Sequence, residues 1–206
     1  MSTSRGIGRP YWVALRYMIV ATVVLGIAYP LVVLGIGQVA FPSQANGSIV
    51  SVNGQPVGSS LIGQSFTDAD GNALPQWFQS RPSTAGDSGY DSSASVASNY
   101  GPENPDFIDA INQRKAAIAA SDGVDPNDIP VDALTSSGSS LDPHISPEYA
   151  LEQVPRVAAA RGLEESQVHD LVEQFTQGRD LGYLGDPTVN VLELNIALDQ
   201  LPGQAG

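Results

Sequence analysis

No cysteine occurs among the 206 residues, so the chain holds neither a disulfide framework nor a thiolate metal site. Lysine is nearly absent too: Lys115 stands alone and is followed by Ala116. A phosphate-binding loop requires Gly-Lys-Ser/Thr, and an aspartyl-phosphate segment requires Asp-Lys-Thr-Gly, so neither route to nucleoside triphosphate hydrolysis exists in this chain. No acidic residue precedes Asp68. Beyond Phe41, six basic residues face 22 acidic ones, a formal charge of −16. Such a surface repels nucleic acid and anionic lipid and concentrates cations. The acidic residues are scattered, without a run, which is also the pattern of a domain kept soluble by charge.

Charge is missing altogether from Tyr17 to Phe41, YMIVATVVLGIAYPLVVLGIGQVAF. At about 1.5 Å per residue, a helix of roughly 25 residues exceeds the ~30 Å hydrocarbon thickness of a bilayer, whereas a soluble helix would carry a polar face. This stretch reads as one transmembrane helix. A cleaved secretory signal would have an apolar core of about 7 to 15 residues and a small-x-small cleavage site, and neither fits. Arg5, Arg9 and Arg16 precede the span, so the positive-inside rule puts the N-terminus in the cytoplasm and the remainder outside. Tyr11, Trp12, Tyr17 and Phe41 are candidate interface anchors. Pro30 removes a backbone donor at mid-span and predicts a kink there. Gly26, Gly35 and Gly37, with Pro30, are candidates for packing against another membrane helix, or are ordinary membrane composition. The expected organisation is a cytoplasmic tail (1–16), the span (17–41) and one extracytoplasmic domain (42–206).

That domain is expected to be α+β. Ser43 to Gly47 reads as an exit linker. Asn53-Gly54 between two β-prone runs, Ser48 to Val52 and Gln55 to Ile62, predicts a hairpin. Phe66 to Gly101 is too polar for a core element and reads as a long ordered loop pinned by Trp77 and Phe78. Asn104-Pro105 predicts a capped helix ending near Ser121 to Gly123. Asp125 to Leu134 reads as loop. Ser146-Pro147 opens a second helix to about Arg161, broken near Pro155 and stopped by Gly162. A third runs from about Glu164 to Thr176. Val189 to Asn195 reads as a strand, with a helical turn at Ile196 to Leu201.

Several short motifs invite chemistry. Gly86-Asp87-Ser88-Gly89 has the form of a serine-protease nucleophile segment, yet both histidines, His144 and His169, follow it rather than precede it. Asp68-x-Asp70-Gly71-Asn72 has the start of a calcium loop without its full ligand spacing, and a turn accounts for the same residues. Asp122, Asp125, Asp128 and Asp132 read as a solvated loop. Asp142-Pro143-His144 has too few ligands for a metal and reads as a turn lock or a partner-facing pair. A free membrane-anchored hydrolase or ion-binding module acting through Ser88, His144 or the aspartates is the alternative these motifs leave open.

Leu134-Thr-Ser-Ser-Gly-Ser-Ser-Leu-Asp-Pro-His-Ile-Ser-Pro147, Gln153-Val-Pro-Arg-Val157 and Ala160-Arg-Gly162 closely resemble the signature of the KdpC family, which belongs to the potassium-transporting P-type ATPase, the Kdp complex. So do Gly178-Arg-x-Leu-Gly-Tyr-Leu-Gly185, Val189-Asn-Val-Leu-x-Leu-Asn-Ile-Ala-Leu-Asp199, Ser60-Leu-Ile-Gly-Gln64 and Phe78-Gln-Ser-Arg-Pro-Ser83. One segment departs: Ser95-Val-Ala-Ser-Asn-Tyr-Gly-Pro-Glu-Asn-Pro105 lacks two glycines that the family usually carries, and Asp68 to Gln76 is longer than expected. The resemblance implies a non-catalytic subunit of a potassium importer in the cell membrane. Its implied partners are a channel-like potassium-binding subunit, a P-type subunit that hydrolyses ATP and a small single-span subunit. ATP and potassium belong to the complex, and no cofactor is expected on this chain. The family is described as a catalytic chaperone that raises the hydrolysing subunit's affinity for ATP. Residues on the motif segments expected to contact partners are Arg81, Asn104, Asp142, His144, Arg156, Arg179 and Tyr183, with turn-forming roles equally open for Asn104 and Asp142.

Overall fold

The computed structural model describes residues 8–201, so Arg5 lies outside the described residues. The chain divides between Ser48 and Ile49 into two units. The first is a continuous helix from Gly8 to Ala40, 33 residues, long and apolar enough to cross a membrane. It begins nine residues before the uncharged run at Tyr17, because helix geometry tolerates Arg9 and Arg16. The Arg16 guanidinium lies 4.9 Å from the Trp12 ring one turn earlier, a cation–π pair at that end.

Pro30 leaves a distinct mark. Helix α1 (Gly8–Val23) passes into a single π-helical turn (Val24–Ala28) before α2 (Tyr29–Ala40), and the Tyr29 N–H donates to Val24 O rather than one residue later. A proline ring clashes with the carbonyl four residues back, and the wider turn makes room for it. Phe41 leaves helical geometry at φ −139°, and the expected linker instead folds into a helical turn, α3 (Pro42–Ala45). The Asn46 and Gln38 side-chain amides pair reciprocally at 3.1 and 3.2 Å across this bend.

The second unit is α+β. β1 (Ile49–Val52) and β2 (Gln55–Ser59) pair antiparallel, and Asn53 and Gly54 both have positive φ, the type I′ hairpin turn their dipeptide predicts. Helix α4 (Pro105–Asp122) starts on the Asn104 side chain, which accepts from the Asp106 and Phe107 N–H groups, and ends on left-handed Gly123. α6 (Pro147–Glu152) and α7 (Val154–Arg161) meet at Gln153, and Gly162 closes the pair in the left-handed region. Pro155 thus falls in the first turn of a new helix, where its missing N–H costs nothing. α8 (Glu165–Phe175) buries Val168, Leu171 and Val172 at helical spacing behind a Glu164–Gln167 capping box.

Two expectations about this unit are corrected. The segment from Asp125 to Leu134 includes a helical turn, α5 (Val131–Leu134), which buries Ala133 and Leu134. The strand read at Val189 to Asn195 stops at Asn190: β5 (Thr188–Asn190) hands over to α9 (Val191–Asp199), whose Val191, Leu194, Asn195 and Leu198 form one buried stripe. Asn190 caps α9 by accepting from the Glu193 N–H. The helical period fits burial better than the partial alternation did. Two further strands, β3 (His144–Ile145) and β4 (Thr176–Gln177), flank β5 antiparallel in the order β3-β5-β4.

The loop from Phe66 to Gly101 threads this core. Phe78 is fully buried among α6, α7, α8 and α9 residues, which places two peptide groups beyond the reach of water. Side-chain amides supply the missing partners. Asn195 Oδ1 accepts from the Phe78 N–H at 2.9 Å and its Nδ2 donates to Phe78 O at 3.0 Å. Gln153 Oε1 accepts from the Gln79 N–H at 2.6 Å and its Nε2 donates to Gln79 O at 3.3 Å. Each amide does for the loop what a neighbouring strand would do. Replacing Asn195 with Ala orphans both Phe78 groups at a cost of about 1–3 kcal/mol each. Thermal unfolding of the full chain in detergent, followed by tryptophan fluorescence, should show a Tm well below wild type, and Asn195→Asp should not rescue it at pH 7, because it buries a carboxylate against the Phe78 carbonyl.

Candidate functional site

Most of the motif residues converge on two joints, one half-buried and one in the interior, rather than on a reaction centre. In the first, the Arg81 guanidinium donates to Asp142 Oδ2 at 3.1 Å and to Thr135 O at 3.3 and 3.4 Å. Asp142 Oδ1 accepts from the His144 backbone N–H at 3.0 Å, a turn across Pro143, and lies 3.4 Å from His144 Nδ1. Tyr90 closes the joint by donating its hydroxyl to Arg81 O at 2.6 Å. Burial pushes the Tyr90 phenol up to about 12. Burial also pushes the Asp142 carboxyl up, but hydrogen bonds from His144 and the Arg81 charge outweigh it and hold it below the usual carboxylate range. Gly63 sits beneath: a Cβ there would press on the Tyr90 ring and come within 2.7 Å of Asp142 O, so the close approach demands glycine.

The second joint centres on Arg156, 7 % exposed. Its Nε donates to Asp122 Oδ1 at 3.0 Å, its Nη1 to Pro75 O and Trp77 O, and its Nη2 to Gln153 Oε1. Asp122 is 4 % exposed, so the expectation of a solvated acidic loop fails there. It fails at Asp132 as well, which accepts from the Ser146 N–H at 2.6 Å and its hydroxyl at 2.9 Å. Both carboxylates are drawn inward because they satisfy groups their own fold would otherwise strand. Glu152 shares this neighbourhood less comfortably. Its Oε1 is shielded from solvent without a partner among the described residues. Burial, then Asp122 and Asp132, push its carboxyl up to about 7 against the pull of Arg156.

Of the residues expected to contact partners, the geometry assigns Arg156 to the interior and Asn104 to a helix cap. Arg81, Asp142 and His144 are partly exposed but committed to one another. Arg179 and Tyr183 stand apart: they lie on an excursion between β4 and β5 whose tip is open to solvent. Sequence reading missed Tyr90, Gly63 and Asn195, whose signals are only visible as contacts distant in the chain.

Among the described residues the alternative chemistry finds no assembly. Ser88 lies between Gly86 and Gly89, both with positive φ, in a turn rimming a cavity of about 400 Å³ with Arg81 and Arg114. Neither histidine bonds to Ser88: His144 faces Asp142, and His169 faces Asp170 and Glu173. Asp68 accepts from the Asp70 and Asn72 N–H groups, the turn expected there. His169, Asp170 and Glu173 place ligand atoms within 4.8 Å of one another, but all three are exposed.

In the family model described as "KdpC: K+-transporting ATPase, c chain", the match covers residues 11–200. The chain is similar to the potassium-transporting ATPase KdpC subunit of Kineococcus radiotolerans, 58 % identical over 89 % of this chain and 90 % of that one. It is 51 % identical to the protein of the same name from Herpetosiphon aurantiacus, over 91 % of this chain and 94 % of that one. With the Streptomyces coelicolor protein of that name the identity is 45 %, over 94 % and 93 %.

Two pH responses of opposite sign follow from the joints. Asp142, depressed from 3.8, contributes stability above that pH which is lost as pH falls through its lower folded value. Asp142→Asn should therefore lower Tm at pH 7, by the equivalent of about 1–3 kcal/mol, with the gap to wild type closing as pH falls below 3.8. Glu152, raised from 4.5 to about 7, contributes stability below pH 4.5 that is lost as pH rises through 7. Glu152→Gln should raise Tm at pH 8 and leave it near wild type at pH 4.5, read by the same unfolding assay.

Proposed function

The chain belongs to the KdpC family, the c chain of K+-transporting ATPases, and we propose from that premise that it is the non-catalytic single-span subunit of an ATP-driven potassium importer in the cell membrane. The observation that carries this reading is the extent of the match, residues 11–200, which takes in the apolar helix and the mixed domain together. The polar chemistry agrees with it: Arg81, Asp142, Arg156 and Asp122 are spent on holding the fold rather than facing a substrate.

In this reading the arginines before the span hold the N-terminus in the cytoplasm, and the domain after Phe41 lies outside. The partners are the channel-like potassium-binding subunit, the ATP-hydrolysing P-type subunit, the small single-span subunit and the surrounding bilayer. The span packs against a partner helix. Gly26, Gly35 and Gly37 support that placement, since a Cβ at any of them meets nothing in this chain closer than 3.6 Å, so their smallness answers no internal need. The domain docks over the potassium entrance of the channel-like subunit. Its charge of −16 raises the local concentration of cations at that entrance. Because the mixed domain lies outside in this reading, any gain in ATP affinity by the hydrolysing subunit travels through the assembled complex.

A chain truncated after Ser48, keeping the span and losing the domain, tests this. Expressed with the other subunits, it should fail to support assembly or growth-limiting potassium uptake from micromolar external potassium. Full transport by the truncated complex would refute the reading.

A further inference from the structure

Among the described residues of the second unit, the excursion from Gly178 to Pro187 exposes three large apolar side chains, Leu181, Tyr183 and Leu184, within four positions. It is not a slack loop. Its two ends are β4 and β5, paired Gln177 to Thr188 and Thr176 to Val189, and Val189 is fully buried, so the excursion is rooted in the core sheet. Asp180 and Leu184 exchange backbone hydrogen bonds at 2.9 Å, Gly182 and Tyr183 donate to Arg179 O and Asp180 O, and Arg179 and Asp186 pair at 2.8 Å across the base. The result is a stiff tongue.

Its tip is built against the preferences of a free surface. Leu181 and Gly182 both have positive φ, 53° and 82°. For glycine that is ordinary, but a bulky L residue in the left-handed region is strained, and Asn, Asp or Gly is the usual occupant of such a turn. Leu181 is also 82 % exposed, beside Tyr183 at 69 % and Leu184 at 49 %. An unpartnered tip would gain from Asn at position 181 in both backbone strain and solvation. Neither the turn nor the domain asks for leucine there, so something outside the domain does.

We infer that the 178–187 tongue is the part of this domain that seats in an apolar cleft on the extracytoplasmic face of a partner subunit of the complex, with Leu181 and Tyr183 as its anchors. This rests on the proposed assembly and adds the contact. Charge selects a protein cleft over the other occupants. Arg179 is consumed by Asp186, which leaves Asp180 and a net negative tongue on a domain of −16. An anionic bilayer surface repels that combination, even though Tyr and Leu would suit headgroup depth. A second copy of the chain brings the same negative charge and an equally convex tip, which cannot enclose this one. A cleft with an apolar floor and a basic rim fits both the side chains and the charge. Because the tongue is already ordered, little conformational entropy opposes its seating.

The test uses the full chain co-expressed with its partner subunits. Leu181→Asn should leave the Tm of the purified full-length chain unchanged or raised, and yet weaken recovery of the partner subunits by about tenfold in a detergent pull-down, as loss of an interface anchor does. Tyr183→Ser should do the same. Amide exchange at Leu181 to Leu184 should slow only when the partner subunits are present. If both variants assemble normally while the truncation after Ser48 does not, the tongue is not the contact and the proposed function stands. Should the truncation also assemble normally, that reading falls and the tongue with it. Slowed exchange in phosphatidylglycerol nanodiscs holding this chain alone would make the occupant lipid, and slowing that grows with the chain's own concentration would make it a second copy. Either result overturns the proposal.

Discussion

The domain depends on a solution to one problem: two peptide groups, at Phe78 and Gln79, lie in an apolar core with no strand beside them. A buried N–H or C=O without a partner costs as much as a small domain can spare from its net stability. Asn195 from α9 and Gln153 from the α6–α7 junction each offer an amide with donor and acceptor in the right order, and so stand in for a missing strand. Around them the arginines finish the work on the carbonyls nearby. Arg156 takes Pro75 and Trp77, and Arg161 takes Gln76 while its guanidinium stacks 4.2 Å from the Trp77 ring. A loop of this length is ordered because distant helices hold its backbone.

The same joints explain what many of the distinctive residues do in the fold. Phe78 to Ser83, Gln153 to Val157 and Val189 to Asp199 read as a signature in the sequence, and in three dimensions they are the two sides of one set of contacts. The ion pair of Arg156 with Asp122 belongs to this set. Desolvating both groups offsets most of their attraction, yet removing one would strand the other, so the pair specifies the fold more than it stabilises it. Glu152 marks the edge of that arrangement, a third carboxylate where one guanidinium has already been shared out.

The legible parts of the fold were those written in local chemistry. Asn104-Pro105 with Gly123, Ser146-Pro147 with Gly162, and Asn53-Gly54 fix their own backbone within a few residues, so reading them needs no tertiary knowledge. What stayed hidden depends on residues far away in the chain. β3 and β4 are two residues long and have no pattern of their own; pairing to β5 makes them strands. α9 was hidden by competition, since Val189 to Asn195 alternates partially while also placing Val191, Leu194 and Asn195 at helical spacing. The Asn190–Glu193 capping signal favoured the helix and lay in plain view. Asp122 looked solvated because four aspartates in a Pro- and Gly-containing stretch usually are. Only the position of Arg156, 34 residues on, draws it inside. At the candidate site, Arg179 and Tyr183 were legible as motif residues, but the positive φ of Leu181, on which the proposed docking role turns, is a property of the backbone alone.

A tongue with two or three apolar anchors is a small contact for a permanent complex, far short of the roughly 800 Å² per partner that free proteins bury. Tethering removes the discrepancy. A helix of 33 residues from Gly8 to Ala40 that is long and apolar enough to sit in the bilayer confines the domain to the membrane surface, and a second contact then forms at the effective concentration set by the tether. The translational and rotational cost of association is met once, by the span. Under that condition a stiff, preformed tip needs only to set orientation, and the strain kept at Leu181 is small beside what an untethered domain would have to overcome. In the proposed assembly the span and the tongue therefore act together: the span concentrates the domain at the membrane surface, and the tongue's anchors are still needed to hold the partner.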